Sequence, residues 1–81
     1  MRLKPDELAA ALQLLDRGDW KAAHEIVQRD EESPPSCWAH GIVHLMEGDL
    51  SNARYWYREA GRTFPRRVSI QDEIKALKAS L

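Results

Sequence analysis

The sequence predicts an all-α chain of about five short helices, arranged as two tandem antiparallel helical hairpins and a C-terminal capping helix. Three observations predict the class. Apolar residues recur at three- and four-residue spacing in successive segments, and no segment alternates like a strand. Gly18-Asp19 and Gly48-Asp49 stand thirty residues apart, each after an apolar helical run. An alanine follows each aspartate by four positions, at Ala23 and Ala53, so the two corners read as an internal repeat.

The first helix starts at Pro5, whose fixed φ suits a first turn, and Asp6 and Glu7 favour its positive end. Leu8, Ala11, Leu12 and Leu15 fall on one stripe, and the helix runs to about Asp16. Gly18 stops it and Asp19 caps the second, in which Trp20, Ala23 and Val27, with Ile26 beside them, form the apolar face as far as Gln28 or Arg29. Residues 30–36, DEESPPS, break the period with charges and two prolines and form the longest connection. Seven residues are too few for a domain linker, so residues 1–81 read as one domain. Ser33 or Ser36 caps the third helix, with Pro34 or Pro35 in its first turn and Trp38, Ile42, Leu45 and Met46 on its apolar side. Beyond the second corner Leu50, Ala53, Trp56 or Tyr57, and Ala60 carry the fourth helix to Gly61, and Pro65 prevents its continuation. Ser69 followed by Asp72 resembles a capping box, and Ile70, Ile74, Leu77 and Leu81 mark the last helix.

Eighty-one residues leave room for one small core. A single cysteine, Cys37, excludes an internal disulfide framework and suits a reducing compartment, which points to the cytoplasm. No apolar run is long enough to span a bilayer, and residues 1–20 lack an export signal, so no membrane role is expected. The net charge of −1 argues against a whole-chain attraction to nucleic acid. The balance is uneven, at −3 over residues 1–32 and +2 over residues 33–81.

Gly41, Gly48, Asp49, Ala53, Tyr57, Ala60 and Pro65 stand in the order in which the tetratricopeptide repeat carries a glycine in its first helix, a glycine-aspartate turn, an alanine, an aromatic, another alanine and a closing proline. Residues 34–65 therefore resemble that family, and the first hairpin keeps Gly18, Asp19, Ala23 and Pro35. At the family's leucine and tyrosine places stand His40 and His44, and Cys37 takes the tryptophan place with Trp38 one residue later. Small residues at Gly41, Ala53 and Ala60 would let the two helices approach closely while Tyr57 fills the gap. The stretch EGDLSNARYWYREAGR also resembles a group of small uncharacterised helical proteins, which transfers no activity. The tetratricopeptide resemblance implies a non-catalytic scaffold that contacts a protein or peptide. With two hairpins and one closing helix, the last helix caps the array or two chains associate as a homodimer.

Tyr55, Trp56 and Tyr57 are consecutive, so at 100° steps they cannot all face inward; Tyr57 is the choice for the core. Arg54, Arg58 and Arg62 follow one another at four-residue steps on the same helix. The expected contact face is Trp38, Arg54, Tyr55, Trp56, Arg58 and Arg62, since rings and guanidinium groups are the composition of contact patches. The plainer reading of the arginines is a solvated stripe paired with Glu59 or the acidic first half, and the functional one is an acidic-peptide or phosphate site.

Cys37, His40, His44 and Glu47 share a face of the third helix, at spacings of three, four and three. His40 and His44 are spaced to hold a transition metal such as zinc, with Glu47, Cys37 or His24 completing the set. Alternatively, Cys37 at a helix start with its pKa lowered by the dipole, and His40 one turn on, form a thiol dyad. The structural alternative places these histidines as hydrogen-bonded packing residues. No glycine-rich phosphate loop, paired-cysteine motif or serine elbow indicates a standard cofactor or hydrolase.

Overall fold

The apolar periods become five helices in a computed structural model that describes residues 2–81: α1 Pro5–Asp16, α2 Trp20–Val27, α3 Pro34–Glu47, α4 Leu50–Glu59 and α5 Ile70–Ser80. Among the described residues there is no strand, and the all-α class is the observed one. Each start reflects its local chemistry. Glu7 accepts from the Lys4 N–H at 2.9 Å, Asp19 caps α2 through the Ala22 N–H, Asp49 caps α4 through the Asn52 N–H, and Ser69 caps α5 through the Asp72 N–H. Ser33 is the residue before α3, but its hydroxyl makes no capping bond.

α1 and α2 form one antiparallel hairpin and α3 and α4 the other, with α2 against α3 joining them. α5 packs on both α3 and α1. The core gathers Leu12, Leu15, Val27, Ile42, Val43, Tyr57, Ile74 and Leu77, all almost fully buried. α3 is buried nearly all round, so its residues from Ser36 to His44 have no solvated face.

Inside the second hairpin the backbones meet at Gly41. A Cβ placed there would lie 2.5 Å from Tyr57 Cδ1 and 2.7 Å from Cε1, well inside contact distance. Tyr57 Oη donates to Glu73 Oε1 at 2.6 Å and Trp38 Nε1 donates to the same oxygen at 3.2 Å, so one carboxylate of α5 pins two aromatic side chains of the hairpin.

The connection of residues 30–36 is ordered by Asp30, which is completely buried. Its carboxylate accepts from the N–H groups of Leu3, Glu32 and Ser33 at 2.9, 3.1 and 3.0 Å and from Ser36 Oγ at 3.1 Å. Burial alone would raise its pKa; the bonds from Ser33, Leu3 and Glu32 outweigh that and hold it far below the usual carboxylate range. Ser36, one of the two expected caps, is instead a partner of Asp30.

Candidate functional site

The seam between the hairpins collects the three histidines. His40 and His44 lie one turn apart on α3, and His24 reaches them from α2. Ring centroids are 5.0 Å apart for His24 and His40, 5.5 Å for His24 and His44, and 5.1 Å for His40 and His44. One nitrogen from each ring falls within 4.8 Å of the other two. The expected set of His24, His40 and His44 is therefore brought together, and the completing histidine comes from the other hairpin.

The second layer is equally specific. Glu47 Oε1 lies 2.8 Å from His44 Nδ1, which leaves Nε2 as that ring's free donor atom. Glu47 thus orients His44 and does not join the three rings; with His44 and Asp49 it forms a second, more exposed group of ligand-type atoms. His40 is 3 % exposed and stacks on Trp56 at 3.9 Å between centroids and 11° between planes. Its Nδ1 is buried and has no hydrogen-bond partner. A sealed polar atom without a partner is uncommon, since it forfeits its bond to water and gains none inside. Burial, and then the neighbouring His44 and His24, push the His40 pKa down to about 3, so the ring is neutral and its lone pair is available at physiological pH.

Cys37 stands apart. It is 1 % exposed, belongs to none of the groups of three ligand-type atoms found among the described residues, and its thiol is pushed up to about 11 by burial and then by Asp30, Glu59 and Glu31. This corrects the expected dipole-activated thiol: desolvation of the thiolate and three nearby acids outweigh the helix start.

Of the six residues of the expected contact face, four are exposed and two are buried. Trp38 and Trp56 are buried, at 4 % and 8 % exposed, because Trp38 is held by Glu73 and Trp56 covers His40. Tyr55 is the exposed ring of the aromatic trio, at 44 %, and Tyr57 is in the core as expected. Arg54, Arg58 and Arg62 are exposed, but among the described residues none has an ion-pair partner, so the expected pairing with Glu59 is absent. Each guanidinium instead lies near a ring: Arg54 at 4.4 Å from the Phe64 centroid, Arg58 at 5.7 Å from Tyr55 and Arg62 at 3.7 Å from Trp38. Asn52 is taken up locally, donating from Nδ2 to Asp49 Oδ2 at 2.7 Å.

Asp30 and Glu73 have no place among the residues singled out from the sequence. Asp30 followed by Ser33 was the available signal, an aspartate able to accept from N–H groups two and three positions ahead. Glu73 carried none, since its partners lie 16 and 35 residues away. No helix is long and apolar enough to cross a membrane among the described residues. Comparison with protein-family models, with curated proteins and with solved structures finds no match for the chain.

Proposed function

We propose that the chain is a small tetratricopeptide-like module of the cytoplasm whose two hairpins are clamped by a divalent transition-metal ion held by His24, His40 and His44. The observation that carries this reading is the convergence of three imidazole nitrogens from two helices beside a sealed His40 Nδ1 that has no protein partner. Neutral imidazole is a borderline donor suited to zinc, copper or nickel, and three nitrogens with one coordination position left over fit tetrahedral zinc. Zinc–nitrogen bonds of about 2.0–2.1 Å would bring the nitrogens to roughly 3.4 Å apart, a closure within reach of side-chain rotation. Glu47 supplies the carboxylate that orients the His44 ring. Because His24 belongs to the other hairpin, a bound ion would tie α2 to α3.

Equilibrium dialysis of tag-free protein against zinc, with cobalt absorption as the readout of geometry, tests the reading. One ion per chain and tetrahedral cobalt bands are expected, with most of the affinity lost in His24→Ala and His44→Ala and about 10–100-fold lost in Glu47→Gln. Substoichiometric metal, or unchanged binding in His24→Ala, would overturn it.

A protein or peptide contact is the second reading, favoured by the exposed Tyr55 beside Arg58 and Arg54 on α4. Tyr55→Ser is expected to release such a partner without changing helix content; a partner retained by this variant would refute the placement.

A further inference from the structure

Beside the end of α4, an open hollow of about 540 Å³ is lined by Arg54, Tyr57, Arg58, Arg62, Thr63 and Phe64, together with Gly61. No carboxylate lines it, and among the described residues none of the three arginines has an ion-pair partner. Arg54 and Arg58 lie one turn apart on α4, while Arg62 is not on that helix as expected but follows its end past the left-handed Gly61, and all three line the hollow. Solvated arginines would extend into water. Here Arg54 is laid over Phe64 at 4.4 Å and Arg62 over Trp38 at 3.7 Å, and both rings are held in place, Trp38 by Glu73 and Phe64 by an edge contact with Tyr57 at 5.5 Å. Stacking leaves the in-plane N–H groups of a guanidinium free for an acceptor and removes part of the entropy that binding would otherwise cost.

The helix end itself opposes an anion, since its carbonyls carry about half a negative charge. Two of those carbonyls are already occupied: the Arg62 N–H donates to Tyr57 O at 2.9 Å and the Gly61 N–H to Arg58 O at 3.0 Å. Three full positive charges against a partly satisfied half charge leave the hollow net positive. Glu73, the carboxylate behind Tyr57, is taken up by Tyr57 and Trp38 and does not line the hollow.

We propose that this hollow binds a phosphate monoester through Arg54, Arg58 and Arg62. A carboxylate is satisfied by one guanidinium fork. Three forks with the Thr63 hydroxyl match a group with three terminal oxygens and a charge of about −1.5 to −2 at neutral pH. A phosphodiester offers fewer free oxygens and one charge, and the chain as a whole is net negative, so a nucleic-acid backbone suits the hollow less well. The site shares no residue with the histidine cluster and stands whether or not a metal is bound there.

The test monitors arginine Nε–Hε resonances during titration with inorganic phosphate, phenyl phosphate, benzoate and a single-stranded oligonucleotide. Saturable shifts of Arg54, Arg58 and Arg62 with both phosphates are expected. Tighter binding of phenyl phosphate than of inorganic phosphate identifies an ester as the ligand, and the reverse order identifies the free anion and overturns the ester assignment. Arg54→Gln and Arg58→Gln, whose side chains are exposed and whose loss leaves the core intact, are expected to weaken phenyl phosphate by about tenfold or more each. Arg67→Gln, which alters an exposed arginine that does not line the hollow, is expected to change nothing. Unsaturable shifts, equal binding in Arg54→Gln and Arg58→Gln, benzoate as tight as phenyl phosphate, or preference for the oligonucleotide would each overturn the proposal. Because the probes are small molecules, loss of the protein-contact reading leaves the result unaffected.

Discussion

At the first corner Gly18 has φ 78°, Asp19 Oδ1 accepts from the Ala22 N–H at 3.2 Å, and the Asp19 N–H reaches back to Leu14 O at 2.9 Å. At the second, Gly48 has φ 90°, Asp49 Oδ1 accepts from the Asn52 N–H at 3.3 Å, and the Asp49 N–H reaches His44 O at 2.9 Å. Two turns thirty residues apart thus use one set of bonds, yet the helices they join carry different side chains. Ala11 and Val27 of the first hairpin hold the places that Gly41 and Tyr57 hold in the second, exchanging a small and medium pair for a smallest and largest one. His24 and Arg54 are likewise counterparts, five residues after their aspartates. One turns to the buried seam and the other lies over Phe64. Equal corners therefore set the direction of the helices, while the residues between them decide which hairpin presents chemistry to the seam and which to solvent.

The largest effect is expected where the two hairpins differ most: a buried Asp30 occupies the place that Ala60 holds in the second hairpin. Asp30→Asn is expected to lower stability at pH 7 by about 3 kcal/mol in urea unfolding, since it removes the charge from a site of four donors. The pKa shift also sets the sign of the pH dependence. The folded pKa lies below the unfolded value of roughly 3.9, so the stabilisation is complete above that pH and is lost as pH falls below it. Asp30→Asn is therefore expected to flatten the acid side of the stability curve. An unchanged acid side would remove Asp30 from this role.

Next in size is Gly41→Ala, expected to cost about 2 kcal/mol, because Tyr57 is 1 % exposed, tied to Glu73 and unable to withdraw from the added carbon. The reverse change at the counterpart, Ala11→Gly, is expected to cost about 2 kcal/mol, through chain entropy together with the loss of a fully buried methyl. Adding Tyr57→Leu to Gly41→Ala is expected to give less than the sum of the two losses; strict additivity would show that the glycine and the ring do not meet. Smallest are Gly18→Ala and Gly48→Ala, each expected to cost about 1 kcal/mol because nothing but a left-handed φ opposes a side chain there. A large difference between the two would contradict the equivalence of the corners.

Much of the fold was legible because it depends on neighbours in the chain. Asp19, Asp49 and Ser69 act within three residues, and all five helices lie within two or three residues of where the apolar period puts them. The candidate site was legible in part: His40 and His44 share a face by arithmetic, and Glu47 falls one turn beyond. Trp38 and Trp56 were misplaced because α3 is enclosed by α1, α2, α4 and α5, which no single-helix period reveals.

Backbone sterics and spacing along a few turns fix the five helices and the two corners from the sequence, since each depends on residues close together in the chain. The packing of the helices brings His24 to His40 and His44, seals Cys37, and joins Trp38 to Tyr57 through Glu73. Those outcomes depend on how α2 and α5 lie against the second hairpin, and long-range packing rather than local periodicity sets which side chains share a dry seam.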